Sequence, residues 1–230
     1  MKKELLIFGS NGALGKGVTK VLSQKNYDQV YLFDFDVLDD NIQPNKMMSI
    51  QIKDLSKEDN VIAAFSKIKP EKDTLYFLFS TIGGFWGGQT VWETKLEDWN
   101  RIFSMNVTTN FLIAKHFSWL VKGSAGGSIC LTAAYTAENP EEMKGAYGAS
   151  KSALVHLVKT LAIEGQKINL SANAIAPFII DTPANRSWMP EADFNKWIKP
   201  EEIGELVYSL FSNFKYVSGS IISLKERFYA

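Results

Sequence analysis

A tyrosine and a lysine four residues apart, Tyr147 and Lys151, are the side chains of this chain best suited to acid–base chemistry. Their segment is predicted to be helical, and residues four apart on a helix lie on one face, one turn apart. A cation beside a phenol favours the phenolate and so lowers the pKa of the phenol. The pair therefore predicts a proton donor that works near neutral pH. Taken alone, it leaves open the alternative of a surface lysine beside a half-buried tyrosine.

A glycine-rich turn follows the first apolar run of the chain. That run, at 5–8, is typical of a strand buried on both faces, and a helix and a second buried strand ending at Asp34 should follow the turn. This order is typical of a dinucleotide-binding βαβ unit, whose helix N-terminus faces the pyrophosphate and whose acid, about 20 residues beyond the turn, accepts hydrogen bonds from the ribose hydroxyls. The alternative is an ordinary glycine-rich turn. The turn consists of Gly9, Ser10, Asn11, Gly12, Ala13, Leu14 and Gly15.

Apolar runs and helical patterns alternate along the rest of the chain. Further strands are predicted at 48–52, 75–79, 128–132, 170–175 and 220–224, and helices around 61–68, over 96–121, through Tyr147 and over 203–211. This alternation predicts an α/β fold with a parallel sheet and helices on both of its faces. Because no repeat, low-complexity tract or linker divides the chain, we expect one Rossmann-like, doubly wound, three-layer αβα domain over 1–230.

Composition limits the classes of partner. The formal net charge of +0 and the lack of a basic patch argue against nucleic acid, and no apolar run is long enough to cross a membrane. The one cysteine, Cys130, excludes an internal disulfide and fits a reducing compartment, so we expect a cytoplasmic location. His116 and His156 lie on predicted helices without metal-ligating neighbours in sequence, so we expect no metal.

The chemistry-bearing features occur in the order and spacing of the short-chain dehydrogenase/reductase family, which the chain resembles along essentially its whole length. The resemblance rests on the 9–15 turn, Asp54, Leu55, Asn106, Tyr147, Lys151 and the 177–182 turn. It implies an NAD(P)-dependent oxidoreductase that transfers a hydride to or from a small molecule. It also implies cofactor contacts from Asp54, Leu55, Ile82, Gly83, Tyr147, Lys151, Pro177, Ile179 and Thr182.

The same resemblance assigns roles to three polar side chains. Tyr147 would deliver the proton, while Lys151 would hold the nicotinamide ribose and lower the pKa of Tyr147. Asn106 would fix a backbone kink and a water that relays protons to Lys151. The alternative for Asn106 is a helix-interior asparagine satisfied by a backbone carbonyl. The alternative for Asp54 is a place at a helix N-terminus.

Asp34 also predicts which nicotinamide dinucleotide is preferred. Its carboxylate would accept hydrogen bonds from the ribose hydroxyls of NADH and repel the 2′-phosphate of NADPH. The next residues, Phe35 and Asp36, add no cation that would offset this repulsion. We therefore expect NAD(H) to be preferred over NADP(H).

A narrower resemblance links the stretches 9–15, 83–88 and 181–194 to the dihydropteridine reductases, which use NADH to return quinonoid dihydropterin to tetrahydropterin. Ala134 holds the position of the family's catalytic serine, and these reductases are similar in lacking that serine. The resemblance implies hydride transfer to an activated planar substrate. The rings of Phe85 and Trp86 could stack on such a substrate, and Trp188, Met189 and Phe194 would form a lid over it. The alternatives are that Phe85 or Trp86 fills the core and that Trp188 packs against a second subunit.

Two other functions stay open from the sequence. One is a carbonyl or alcohol oxidoreductase of the same family with a different substrate. The other is a protein that senses NAD(H) without turnover, which the loss of the serine favours and the retention of Tyr147 and Lys151 disfavours.

The helices predicted to carry Asn106 and Tyr147 have apolar residues beyond one stripe, and such a helix needs a second partner. The resemblance implies that these two helices pair across a two-fold axis, so we expect a homo-oligomer, a dimer formed through them. The apolar residues concerned are Phe111, Leu112, Phe117, Trp119, Leu120, Val155, Leu157 and Val158.

Overall fold

Seven parallel strands form one sheet in the protein's structure, a computed structural model that describes residues 1–36 and 46–228. The strands are β1 (Lys2–Phe8), β2 (Gln29–Asp34), β3 (Met47–Gln51), β4 (Thr74–Ser80), β5 (Gly126–Thr132), β6 (Leu170–Pro177) and β7 (Ile221–Leu224). Their order in the sheet is β3-β2-β1-β4-β5-β6-β7. The order reverses between β1 and β4, which opens a crevice at the carboxyl ends of these two strands.

Helices cover both faces of the sheet. They are α1 (Ala13–Leu22), α2 (Glu58–Phe65), α3 (Leu96–Phe103), α4 (Thr109–Lys122), α5 (Gly145–Glu164), α6 (Pro183–Trp188) and α7 (Pro200–Ser212). Residues of α1 and α7 share one core cluster with alternate residues of the strands. Residues of α2, α4 and α5 share the other cluster, on the opposite face. The predicted doubly wound α/β architecture with a parallel sheet is confirmed.

The alternation of side chains along β1 shows how the sheet joins the two cores. Leu6 and Phe8 pack in the cluster beneath α2, α4 and α5, whereas Leu5 and Ile7 pack in the cluster beneath α1 and α7. All four side chains are fully buried, and each such burial stabilises the fold by roughly 1.5–3 kcal/mol. The ring of Phe8 stacks on that of Phe33, with 4.2 Å between the centroids. Continuous apolar runs therefore mark these strands because both of their faces are covered.

The helix predicted over 96–121 is interrupted in the structure. A π-helical turn at Ser104–Thr108 separates α3 from α4. The turn places Asn106 in the interior, where it is fully buried and bonded to neighbouring segments rather than to its own helix alone. Single π-turns inside helices are frequent at functional sites. The kink that the family resemblance implied at Asn106 is therefore present as a widened helical turn.

The segment after β6 contains a helix that was not predicted from the sequence. The hydroxyl of Thr182 accepts a hydrogen bond from the backbone N–H of Asn185 at 3.2 Å and caps α6. Pro183 follows at the first helical position, where its fixed φ is favourable and its missing N–H is not needed. Thr-Pro before a short amphipathic run is the sequence signal that identifies such a helix.

Most of the residues in the second apolar stripe predicted on α4 and α5 are buried within the chain itself. Leu112, Phe117, Leu120, Val155 and Val158 are buried, because these helices pack on the sheet and on their neighbours. The expected need for a second partner therefore gets no support from these five residues. Phe111 and Trp119 remain exposed on α4.

The cysteine and His116 occupy structural positions in the fold rather than a reactive or metal-binding site. Cys130 is fully buried in β5, and burial raises the pKa of its thiol to about 12. His116 on α4 has its Nε2 3.0 Å from Oε1 of Glu58, which joins α4 to α2. Within residues 1–36 and 46–228, no three His, Cys, Asp or Glu side chains cluster as a metal site would require. None of the helices in that part of the chain is long and apolar enough to span a bilayer.

Candidate active site

The glycine-rich turn forms a cradle that only glycine allows. Gly9 has a φ of +79°, and a Cβ there would lie 2.3 Å from the Thr81 hydroxyl oxygen. A Cβ on Gly15 would lie 1.9 Å from the carbonyl oxygen of Gly9. Gly12 precedes α1 without a side-chain cap, so the first N–H groups of the helix stay free for an anion. These features fit the pyrophosphate of a dinucleotide.

Asp34 stands at the end of β2 with its carboxylate fixed. Oδ2 accepts a hydrogen bond from the backbone N–H of Asn11 at 2.7 Å, and Oδ1 accepts one from that of Phe35 at 2.8 Å. Each oxygen keeps a further lone pair for a ribose hydroxyl. Because two backbone donors hold the carboxylate, it cannot turn away from a ligand group that binds next to it.

A cavity of about 510 Å³ opens beside Asp34 and is lined by seven of the residues predicted to hold the nucleotide. Arg101 also lines it, which was not predicted from the sequence because this arginine lies on α3, far from the turn along the chain. Its guanidinium donates to Oδ1 of Asp98 at 2.8 Å. The predicted residues that line this cavity are Gly9, Gly12, Asp34, Asp54, Leu55, Ile82 and Gly83.

A second cavity, of about 590 Å³, shares Thr81 and Gly83 with the first. It lies beyond the ends of β4, β5 and β6, where ligands bind in sheets of this topology. The predicted residues that line it are Leu14, Gly83, Phe85, Ala134, Tyr147, Lys151, Pro177, Ile179 and Trp188. The two cavities together form one groove across the switch point, with room for a dinucleotide and a small substrate.

Lys151 is buried in the wall of the second cavity, beside Gly83, which both cavities share. Its Nζ donates to the carbonyl oxygen of Thr132, at the end of β5, at 2.7 Å. The same Nζ lies 6.0 Å from the centroid of the Tyr147 ring. A Cβ on Gly83 would lie 2.9 Å from Nζ, so a larger residue at 83 would displace the Lys151 ammonium.

The pKa values of the two residues differ from the sequence prediction. Burial raises the pKa of Tyr147 to about 12, and the negative charge of Glu141 adds to the rise. Burial also lowers the pKa of Lys151 to about 8. The predicted lowering of the Tyr147 pKa was wrong for the protein alone, because desolvation of the phenolate outweighs the attraction of an ammonium 6.0 Å from the ring.

Asn106 connects the loop after β4 to α5. Its Oδ1 accepts from the backbone N–H of Gly84 at 2.8 Å, and its Nδ2 donates to the Gly84 carbonyl at 3.1 Å. Nδ2 also donates to the Ser150 hydroxyl at 2.9 Å. That hydroxyl donates to the carbonyl oxygen of Tyr147 at 2.7 Å. Asn106 thus orients the turn of α5 that carries Tyr147, and its role in a water relay stays a prediction.

Aromatic side chains form one wall of the second cavity. The Phe85 ring lies edge-on to the Tyr147 ring at 5.1 Å and tilted to the Trp188 ring at 5.8 Å between centroids. Trp86 is half-buried and is absent from the described residues that line either cavity. Of the two neighbouring aromatic residues, Phe85 is therefore the one that faces the space for a substrate.

Several predicted site residues lie beside the groove rather than on its surface. Asn11 supports Asp34, Gly15 lies under the turn, Asn106 is buried behind Gly84, and Thr182 caps α6. Ala13 lines a separate groove on the far side of α1. A position behind the wall is compatible with a supporting role, and cofactor contacts by these five residues stay a prediction.

Several residues that line the second cavity were not predicted from the sequence. Glu141 and Lys144 are the charged ones among them, and they lie in the segment 139–144, Asn-Pro-Glu-Glu-Met-Lys, which resembles an ordinary solvated loop. Their spacing of three residues is the one available signal, because it is compatible with an ion pair. The uncharged residues missed include Thr81, Thr132, Ala133, Thr136, Ile180 and Asn185.

The fold and the site define a class of protein: an oxidoreductase that binds a nicotinamide dinucleotide at the switch point of a parallel sheet. A family model described as enoyl-(acyl carrier protein) reductase matches residues 14–225. The chain belongs to the short-chain dehydrogenase/reductase family, as its motifs predicted, and is an NAD(P)-dependent oxidoreductase.

Three known proteins indicate the range of relatives. The chain is 29% identical to dihydropteridine reductase of Dictyostelium discoideum, over 99% of this chain and 96% of the relative. It is 27% identical to carbonyl reductase family member 4 of Xenopus laevis, over 96% of each. The solved structure of ElxO with NADP bound has a TM-score of 0.81 at 20% identity, over 97% of each chain, which is a likeness of fold.

Proposed function

We propose that this protein is an NADH-dependent reductase of an activated planar ring, of which quinonoid dihydropterin is the best example. The observation that carries the proposal is the composition of the second cavity. The phenol of Tyr147 and the methyl group of Ala134 line this cavity together with the rings of Phe85 and Trp188, and the Phe85 ring contacts those of Tyr147 and Trp188. Similarity to a dihydropteridine reductase supports the same substrate class.

The chain's own residues bind, orient and donate a proton, and the bound nicotinamide would supply the hydride. Tyr147 gives its proton to the reduced ring, so one hydride and one proton convert quinonoid dihydropterin to tetrahydropterin. Lys151 would bond the nicotinamide ribose from its buried position beside Gly83. Asn106, through Ser150, would hold the first turn of α5 so that the Tyr147 hydroxyl faces the substrate.

Ala134 decides which substrates suit the cavity. A hydroxyl at this position would stabilise charge that develops on a carbonyl oxygen, and one such donor contributes about 3 kcal/mol to the transition state. The methyl group of Ala134, which is 4% exposed in the cavity wall, cannot do so. A quinonoid ring spreads the incoming negative charge over several atoms, so it needs less help from such a donor. The absence of a hydroxyl therefore favours activated rings over simple ketones.

The preference for NADH is part of the same proposal. A 2′-phosphate would face the fixed carboxylate of Asp34, and a like charge at close range costs several kcal/mol. Arg101 lines the same cavity, but its charge is already paired with Asp98. A likeness of fold to an NADP-bound structure does not decide between the two dinucleotides.

Oligomerisation through the α3–α4 and α5 face also belongs to the proposal, together with a cytoplasmic location. This face exposes several large apolar side chains and contains an apolar cavity of about 300 Å³ between α3 and α5. Light scattering at micromolar concentration tests the dimer, and a monomer mass would contradict it. The exposed residues on and before α3 and α4 are Val91, Trp92, Leu96, Trp99, Phe111 and Trp119.

The proposed activity is tested by steady-state NADH oxidation with quinonoid dihydropterin beside a panel of ketones and aldehydes. We expect kcat/KM for the dihydropterin to exceed that for simple ketones by at least about a hundredfold, following the loss of one oxyanion donor. A second candidate, a carbonyl reductase, is favoured by similarity to carbonyl reductase family member 4 and would reverse this order. A sensor without turnover would consume no NADH with any acceptor.

A further inference from the structure

An ion pair forms part of the wall of the substrate cavity. Nζ of Lys144 donates to Oε1 of Glu141 at 2.6 Å, and the hydroxyl of Thr136 donates to Oε2 of the same carboxylate. The side chains of Lys144 and Glu141 are 30% and 28% exposed, so both keep a surface toward the cavity. Glu141 is the one carboxylate among the described residues that line this cavity.

The order of the hydrogen-bonding atoms in this ion pair determines which ligand edge it can match. Because Nζ of Lys144 donates to Oε1 of Glu141, the atoms of the ion pair follow one another in the order Oε2, Oε1 and Nζ. Two acceptors are therefore followed by one donor. A carboxylate can accept two parallel hydrogen bonds, and an ammonium keeps two further protons after one is used. The matching ligand edge carries two N–H donors followed by a carbonyl oxygen.

The pyrimidine edge of a pterin has this pattern. Its exocyclic nitrogen on C2 and its N3–H are neighbouring donors, and the C4 carbonyl oxygen beside them is an acceptor. The edge lies opposite the pyrazine ring, which is the part that undergoes reduction. A ligand held by this edge would direct its reactive ring away from the ion pair.

We infer that Glu141 and Lys144 are the specificity-determining pair of the substrate cavity and recognise the 2-amino-4-oxo-pyrimidine edge of a pterin-type substrate. This inference rests on the proposed function and deepens it, because it names the part of the substrate that is recognised. Glu141 accepts from the C2 amino group and N3–H, and Lys144 donates to the C4 oxygen. Neither residue transfers a proton in the reaction.

The surroundings of the pair support this assignment. Nζ of Lys144 lies 5.8 Å from the centroid of the Phe85 ring, so the pair stands next to the ring against which a planar substrate would pack. Although partial burial opposes it, the hydrogen bonds from Lys144 and Thr136 hold the pKa of Glu141 below its ordinary value, so it is a carboxylate at neutral pH. The pair has no net charge, which suits a neutral ring better than an ionised acid.

Binding of two stable ligands, pterin and lumazine, tests the inference without turnover. Lumazine has a C2 carbonyl in place of the amino group, so it presents an acceptor where pterin presents a donor. In Glu141→Gln, whose amide can donate to a C2 oxygen, we expect the affinity for pterin to fall at least about tenfold and that for lumazine to hold or rise. Fluorescence titration of the NAD(H)-loaded protein measures both. Glu142→Gln, at the exposed neighbouring residue, is the matched control and should change neither affinity.

A second variant separates recognition from a structural role of the loop. Lys144→Met should weaken pterin and lumazine alike, because both ligands carry the C4 oxygen. Equal losses of both ligands in Glu141→Gln, or unchanged affinities in Lys144→Met, would overturn the inference. Failure of this inference can be told apart from failure of the proposed function. If the proposed function fails, the unmodified protein does not oxidise NADH with quinonoid dihydropterin.

Discussion

The Phe85 ring meets the Tyr147 ring edge-on, with 5.1 Å between the centroids and 70° between the planes. Phe85 comes from the loop after β4 and Tyr147 from the first turn of α5, so the contact joins two elements that are distant in sequence. The contact packs the phenol ring against the aromatic wall of the second cavity. The proposed proton donor and the proposed stacking surface for a planar substrate are therefore in direct contact.

Tyr147→Phe keeps this ring contact and removes only the proton donor. General acid catalysis contributes roughly a hundred- to ten-thousand-fold, so we expect kcat for quinonoid dihydropterin to fall within that range. The dissociation constant for NADH, measured by fluorescence titration, should change little. Tyr208→Phe on α7, which removes a phenol outside the groove, serves as the control. Unchanged turnover in Tyr147→Phe would remove this residue from the mechanism.

Lys151→Met should stabilise the protein without its cofactor, in a pH-dependent way. Burial lowers the pKa of Lys151 from its ordinary 10.5 to about 8, so the unfolded chain binds the proton more tightly than the folded chain. The charged lysine therefore destabilises the fold below about pH 8, and this cost disappears as the pH rises toward 10.5. After the loss of the bond to Thr132, we expect a net gain on the order of 2 kcal/mol at pH 7.

Urea unfolding of both proteins at pH 7 and pH 10 measures this effect. The gain from Lys151→Met should be present at pH 7 and small at pH 10. Lys167→Met replaces an exposed lysine and should show no such dependence on pH. A gain of the same size at both pH values, or a loss at pH 7, would contradict the assigned protonation of Lys151.

Asp34→Ala should reduce the preference for NADH over NADPH. In the unmodified protein the fixed carboxylate repels the 2′-phosphate, and we expect kcat/KM for NADH to be higher by at least about a hundredfold. The variant loses both the repulsion and the hydrogen bonds to the ribose, so the constant for NADH should fall and that for NADPH should rise. Asp73→Ala, at an exposed residue before β4, is the control. Equal constants for the two dinucleotides in the unmodified protein would refute this prediction.

Ala134→Ser restores the hydroxyl that the cavity lacks. A serine here would stabilise the negative charge that develops on the oxygen of a ketone during its reduction. We therefore expect kcat/KM for simple ketones to rise by about ten- to a hundredfold. This gain is smaller than the contribution of a native oxyanion donor, because the introduced hydroxyl is not held in an optimised position. Activity on quinonoid dihydropterin should change less than threefold. Equal gains on both substrates would mean that the hydroxyl acts on something other than the substrate oxygen.

Much of the fold could be predicted because its signals are local. Each strand is a continuous apolar run that is buried on both faces, as at Leu5 to Phe8, and glycines with fixed contacts, such as Gly9 and Gly15, mark the turn. The π-turn at Asn106 could not be predicted from helical periodicity, because it depends on hydrogen bonds to Gly84 and Ser150.

The parts of the site that were missed depend on tertiary packing. The raised pKa of Tyr147 follows from how deeply α5 is buried, which spacing alone does not indicate. Glu141 and Lys144 reach the cavity because the loop before α5 folds against the Gly87–Gly88 segment, where the N–H of Gly88 donates to the Met143 carbonyl at 2.9 Å. Their charges look like solvated loop residues until that contact is known.

The stoichiometry of a single turnover tests the central claim most directly. Quinonoid dihydropterin is mixed with the protein and one equivalent of NADH, and the NADH consumed is compared with the tetrahydropterin formed. We predict one tetrahydropterin for each NADH oxidised, with negligible NAD-dependent oxidation of a simple secondary alcohol by the same preparation. Efficient oxidation of that alcohol, with no NADH consumed in the presence of quinonoid dihydropterin, would contradict the proposed activity.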